Sequence, residues 1–197
     1  MAAEETPLKR CAFAVSLALL STALIAQSQT PAPADHAGSP GSSPAQPAGP
    51  FADLQRSYAG LKTNILKSAD KMPAENYAYR PTPEVRTFAR VVNHVTEAQL
   101  HSCGALNGTA PAALPKVPAE TAVKAEIVAA LQASFAECDK AYAGLTEANM
   151  LQTLTVGPTT RARIGLAWGN VSHDNEQYAT LALYLRLKGL APPSSEK

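Results

Sequence analysis

Three histidines stand in stretches that read as helix, and their spacing limits what they could do together. His94 and His101 are seven residues apart, so they differ by only ~20° around a helix axis and by ~10 Å along it. One metal ion cannot take both without help; one can line a bundle interior while the other stands at its end. His173 is followed one turn on by Gln177, and each of His94 and His173 opens an H-x-x-E, with Glu97 and Glu176. An imidazole from one helix and an i, i+4 pair from another could give three ligands to zinc, nickel or iron, leaving positions for water or substrate. Here the pair is His173 and Gln177, and an amide oxygen is a weak, neutral donor for such metals. Helical histidines serve more often as hydrogen-bonded core or surface residues, so spacing alone leaves both readings open. No serine or cysteine nucleophile stands out: Cys103 and Cys138 lie on apolar helical stripes, away from helix N-termini that would favour a thiolate.

Four amphipathic segments must position these residues. From Phe51 to Lys71, apolar residues recur in steps of three or four (Phe51, Leu54, Tyr58, Leu61, Ile65, Ala69), the signature of a helix with one buried face. A second helix is expected from near Thr82, as N-cap with Pro83 in the first turn, to Leu106, with Gly108 just past its end. A third, Ala119 to Leu145, puts Ile127, Leu131, Phe135, Cys138 and Tyr142 on one stripe. The fourth, Thr160 to Lys188, ends in Gly189 with Pro192-Pro193 beyond. No stretch carries a convincing strand alternation. The expectation is all-α: a four-helix bundle over 51–190 with a short tail, 191–197. Loop lengths alone leave its topology open.

The bundle is preceded by two segments of other character. Lys9-Arg10 and then sixteen uncharged residues, Cys11 to Ala26, lead to a small-residue exit at Ala26-Gln27-Ser28. A basic start, a short apolar run and a small-residue exit read as a secretory signal peptide over 1–28. The alternative is a retained anchor, though the run is short for a span. Residues 29–50 hold six prolines among Ala, Gly and Ser with no bulky apolar residue, the composition of a tether that cannot bury enough surface to order itself. The expected product is exported, periplasmic or secreted, with no membrane anchor after cleavage.

Across 197 residues the formal net charge is only +1. That excludes a nucleic-acid binder relying on phosphate neutralisation, which needs a clear basic excess. With Cys11 in the leader, Cys103 and Cys138 remain. In an oxidising compartment they either form a disulfide or pack as two buried thiols.

Three stretches resemble the DinB-like superfamily, the DinB and YfiT helical bundles: ENYAYRPTPEVRTFARVVNHV (75–95), ASFAECDKAY (133–142) and HDNEQYATLALYLRLKGLAPPSS (173–195). The resemblance spans essentially the whole folded region and implies an up-down-down-up bundle. Members of the family often hold a divalent metal on three histidines, one on helix two and an H-x3-H pair on helix four. Carried over, these positions fall on His94, His173 and Gln177, the last departing from the pattern. Either the ion is held weakly, with Gln177 or Glu176 completing the set, or the bundle has lost it. Some relatives are thiol-dependent transferases or isomerases, whose reduced cosubstrates are cytosolic; export argues against that chemistry. Relatives also often dimerise, which makes a homodimer an expectation.

Two function classes follow. One is a metal-dependent enzyme, hydrolase-like or transferase-like, acting on a small molecule with His94 and His173 as ligands. The other is a non-catalytic binding or interaction bundle that kept the fold. Tyr77 and Tyr79 are expected to pack on the bundle end with Arg80 solvated, and Trp168 to lie in the core. Tyr184 and Thr180 are candidates to support a metal-bound His173. Arg186 and Lys188 are assigned to the helix dipole and the last carbonyls.

Overall fold

The structure is a computed structural model that describes residues 49–196. The expected leader and residues 29–48 of the expected linker lie outside the described residues. Four helices dominate: α1 (Pro50–Lys71), α2 (Phe88–Asn107), α3 (Lys124–Ala143) and α4 (Arg163–Leu187). Side-chain contacts give their directions. Gln99 meets Ser134 and Cys103 meets Cys138, so α2 and α3 run parallel. Gln55 bonds the Tyr142 carbonyl while Lys124 bonds that of Met72, so α1 and α3 are antiparallel. Tyr184 donates to the Arg86 carbonyl and Asn170 lies against Cys103, so α2 and α4 are antiparallel. The arrangement is the up-down-down-up bundle that the resemblance implies.

Two parallel neighbours in sequence need a connection that travels back a full helix length. Residues 108–123 make that journey along α2. Leu114 lies over Gly104, Asn93 donates to the Pro118 carbonyl at 3.0 Å, and Glu120 bonds the Thr87 hydroxyl near the start of α2. Gly104 is what lets the strap lie so close, since a Cβ there would stand 2.9 Å from Leu114 Cδ1.

The core between the helices is built from Ile65, Phe88, Val92, Ile127, Leu131, Phe135, Leu181 and Leu185, each at most 1 % exposed. Side chains of this kind contribute ~1.5–3 kcal/mol each on burial. Cys103 and Cys138 are joined as a disulfide with their Cα atoms 4.9 Å apart, which decides between the two readings of that pair. Among the described residues no helix is long and apolar enough to cross a membrane.

The helix starts differ from the periodicity reading. Thr82 does not cap α2; Thr87 does, its hydroxyl accepting from the Arg90 N–H at 3.1 Å. Thr82 and Pro83 are spent in a turn closed by the Val85 N–H on the Thr82 carbonyl. The first α2 amides, Phe88 and Ala89, bond back to the Tyr79 and Tyr77 carbonyls. That loop is pinned because Tyr77 is itself buried, packing edge-on against Phe88 and donating to the Ala69 carbonyl. Tyr79 packs edge-on against Tyr184, and Arg80 is exposed, as expected of the bundle end.

A two-stranded antiparallel hairpin, β1 (Thr153–Val156) and β2 (Thr159–Ala162), occupies the connection where no strand is expected. Leu154 and Val156 are half-buried against the bundle while Thr153 and Thr155 face out, the period of two that defines a strand. Gly157 takes φ 57° ahead of Pro158, a positive-then-negative pair suited to a tight hairpin turn. Gln152 and Met150 carbonyls then accept from the Arg163 and Ile164 N–H groups, so the hairpin base caps α4, which begins at Arg163 instead of Thr160.

Trp168 is 61 % exposed, not buried. The buried face of α4 passes through Leu166, Ala167, Asn170, Val171 and Asp174, and position 168 falls on the other side of the helix. Arg186 and Lys188 also find partners beyond the helix end: Arg186 donates to Ser195 Oγ at 3.1 Å, and the Lys188 ammonium stands 4.6 Å from the Tyr79 ring centre.

Candidate functional site

His94 on α2 and His173 on α4 come together across the seam between the helices, Nε2 to Nε2 at 3.1 Å, with rings inclined at 72°. Both rings are about three-quarters buried. They open into a cleft of about 350 Å³ whose other walls include Glu97, His101, Ser102, Arg161 and Asn170. His101 therefore faces the same cleft two turns from His94, exposed to solvent, as the seven-residue spacing requires.

Each imidazole has a carboxylate behind it. Glu97 Oε2 stands 3.7 Å from His94 Nδ1, and Asp174 Oδ1 stands 3.7 Å from His173 Nδ1. Carboxylates in that position favour a proton on Nδ1 and leave the Nε2 lone pair for a cation or a donor. Glu97 is itself held by Arg90 through two parallel 3.0 Å bonds. Asp174 is fully buried, and its Oδ2 accepts from Gln99 Nε2 at 3.1 Å, while Gln99 Oε1 accepts from Ser134 Oγ at 2.6 Å. The support for His173 thus runs through the core from α4 to α2 to α3. Asp174 Oδ1 and His173 Nδ1, each without a hydrogen bond, are left facing one another.

Burial is the main influence on both titrating partners. It holds His94 below the ordinary imidazole value, helped by Arg86, His173 and Arg90 and opposed by Glu97. It pushes the Asp174 carboxyl up, against the contacts to His173 and Gln99 that favour the charged form. A neutral His94 is the form that offers a lone pair.

Two imidazoles with their Nε2 atoms 3.1 Å apart suit two positions around one divalent ion, since nitrogens at ~2.0–2.1 Å from a metal stand about 3 Å apart at near-right angles. The third family position stands back from the cleft. Gln177 is buried, does not line the cleft, and takes part in no side-chain hydrogen bond of the described residues. Glu176 is exposed. No three His, Cys, Asp or Glu side chains among the described residues gather into a metal-binding group. The residues fit a two-imidazole site with its other positions open to solvent, not a closed four-ligand one.

Tyr184 and Thr180 support other things. The Tyr184 hydroxyl donates to the Arg86 carbonyl at 2.8 Å, and Thr180 bonds back to the Glu176 carbonyl. Residues missed in sequence are Asp174, Ser102, Asn170 and Arg161. Asp174 had a signal, since it shares the buried phase of α4 with Asn170 and Leu181, where a lone carboxylate asks for a partner. Arg161 had none without the hairpin.

A family model described as the DinB superfamily matches residues 58–181. No curated protein matches the chain by sequence. Among solved structures, a DinB-like protein from Bacillus cereus aligns with a TM-score of 0.58 at 14% identity, over 71% of this chain and 93% of that one. A DinB-like protein from Bacillus subtilis aligns with a TM-score of 0.57 at 12% identity, over 70% and 92%. At such identities the solved structures speak for the fold alone, whereas the family model covers more than half of the sequence, and the chain belongs to the DinB superfamily.

Proposed function

We propose that this chain is an exported enzyme of the bundle type in which His94 and His173 hold one divalent ion, zinc, nickel or iron, with water or substrate in the remaining positions and Gln177, where the family has its third histidine, standing back from the cleft. The observation that carries the reading is the pair of Nε2 atoms meeting at 3.1 Å with a carboxylate behind each ring. Bound there, such an ion supplies Lewis-acid polarisation of a substrate oxygen and activation of water, which suits hydrolytic or transfer chemistry on a small molecule. The protein's own part is positional. Asp174 and Glu97, each 3.7 Å from an Nδ1, bias the ring proton toward that nitrogen by their charge, Arg90 fixes Glu97, and the half-enclosed cleft orients the substrate and limits water around it.

Gln177 favours a second reading, a binding bundle without catalysis, because it is buried away from the cleft where a histidine completes the usual set. Metal analysis separates the two. The full chain, purified without a histidine tag and loaded with zinc, nickel or iron, is expected to hold close to one ion, lost in His94→Ala and in His173→Ala. No stoichiometric ion under any loading, or an ion retained by His94→Ala, overturns the metal reading. Export is tested by N-terminal sequencing of the chain expressed with its first 28 residues, where a start near Gln29 is expected.

A further inference from the structure

The far end of the cleft is chemically one-sided. Arg161 of β2 reaches over α4, where its Nη2 donates to the Gly165 carbonyl at 3.0 Å. The guanidinium lies flat on Gly169, with Nη2 and Nη1 only 3.4 and 3.6 Å from where a Cβ would stand. It is exposed and has no carboxylate partner among the described residues. Beyond the Gly165 bond its fork has no partner among the described residues, and the residue lines the cleft. Opposite it on α2 stand His101 and Ser102, whose hydroxyl makes no hydrogen bond among the described residues. Asn170 completes the lining at 2 % exposure, and its Nδ2 has no acceptor. The one carboxylate of the cleft, Glu97, is neutralised by its bidentate bond to Arg90.

Unused donors without acceptors call for a ligand rich in acceptors, and a planar fork matches an oxyanion two bonds at a time. Gly169 is one helical turn from His173, about 6 Å along the axis. We infer that the cleft binds a small organic oxyanion, a carboxylate or a phosphate ester, with its charged end on Arg161 and its body lying along α4 toward the imidazole pair. The volume, about 350 Å³, is at the small end of ligand sites. The inference rests on the imidazole pair as the reactive centre only for what the far end of the ligand meets; the anion subsite stands on its own residues.

The test uses the full chain without a tag and freed of metal by chelation, titrated with inorganic phosphate and separately with benzoate at constant ionic strength. Amide resonances of Ser102, Gly169 and Asn170 are followed. Saturable shifts with at least one probe are expected, at millimolar affinity for so simple an ion. Arg161→Gln weakens binding about tenfold or more and Arg161→Lys less, because an ammonium keeps the charge and loses the fork. Phosphate alone saturating assigns the phosphate source, and benzoate alone the carboxylate. Arg186→Gln, remote from the cleft, leaves the titration unchanged. No saturation by either probe, or equal affinity in wild type and in an Arg161→Gln variant whose circular dichroism is native, overturns the inference. Zinc binding measured on the same samples keeps the two readings apart: loss of anion with zinc retained tells against the subsite alone, and anion bound with no zinc tells against the metal alone.

Discussion

His94 and His173 are 79 residues apart in the chain and 3.1 Å apart at their Nε2 atoms. The antiparallel run of α2 against α4 creates that meeting, and it turns two ordinary helical histidines into a candidate site. The third place is the weak one. Gln177 sits one turn beyond His173 on the same helix, where an imidazole would be the natural third donor for an ion held as proposed by His94 and His173. Gln177→His is therefore expected to tighten zinc by tenfold or more, read by competition with a chromophoric chelator, in line with the worth of a good ligand. Unchanged affinity in this variant would show that position 177 does not face the ion.

Asp174 sets a trade between stability and chemistry. It is fully buried, one of its oxygens has no partner, and burial raises its pKa. The sign follows: a carboxyl raised in the folded state loses stability as pH rises from its unfolded value through its folded one, and above the folded value the full cost of burying the charge remains. Asp174→Asn removes that cost and keeps an acceptor for Gln99. A rise in melting temperature of a few degrees is expected, about what 1 kcal/mol gives in a domain of this size. The same change lets the new amide donate to His173 Nδ1, which moves the ring proton onto Nε2 and should weaken metal ~10–100-fold. Calorimetry and a zinc titration read the two effects; lower stability together with unchanged metal binding contradicts this account.

The four helices were legible because each buries one stripe for five or more turns, and Leu54, Tyr58 and Ile65 or Ile127, Leu131 and Phe135 repeat at the helical period whatever surrounds them. The starts of α2 and α4 were not, because they depend on partners outside the helix. Thr87 and Thr82 are equally good caps in sequence, and only the burial of Phe88 against Tyr77 selects Thr87. The hairpin escaped because four residues a side is too short for alternation to outweigh its Gly-Pro turn. Of the site, His94 and His173 could be named from family resemblance and placed on faces by periodicity. The carboxylate behind His173, the Gln99–Ser134 link and the position of Arg161 exist only once three helices and a hairpin are packed together.

Glu137 is expected to make the stability of the crossover depend on pH. Its Oε1 accepts from Thr109 Oγ1 at 2.6 Å and from Asn107 Nδ2 at 2.8 Å, with Lys140 3.3 Å from the other oxygen. The Thr109 bond first, then the Asn107 bond, hold its carboxyl below the ordinary glutamate value. A depressed acid contributes stability that is fully present above its unfolded value and lost as pH falls through the folded one. The urea midpoint is expected to fall as the solution is acidified below about pH 4.5, the ordinary glutamate range. Glu137→Gln should flatten that dependence and lower stability at neutral pH by about 1–3 kcal/mol, the worth of bonds to a charged acceptor. Parallel acid limbs for the two proteins would leave Glu137 without this role.

The disulfide holds the two parallel helices that the crossover joins. Cys103 and Cys138 close a loop of 35 residues, and restricting the unfolded chain to that extent is worth about 4 kcal/mol on the chain-entropy account. The bridge lies beneath the cleft, since Asn170 Oδ1 is 3.8 Å from Cys103 Sγ and 3.9 Å from Cys138 Sγ. Asn170 also faces the Tyr142 hydroxyl, which donates to the Ala167 carbonyl at 2.8 Å. Replacing both cysteines with alanine takes away the cross-link and leaves small voids against Asn170. A fall in melting temperature on the order of 10 °C is expected from the lost cross-link in a domain of this size. Wild type heated with reductant should fall toward the same value, while the double variant should not respond to reductant at all. The His94–His173 pair lies on α2 and α4, which the bridge does not join, so zinc affinity measured well below the transition should change little. A large loss of affinity with the fold intact would show instead that Asn170 transmits the state of the bridge to the cleft.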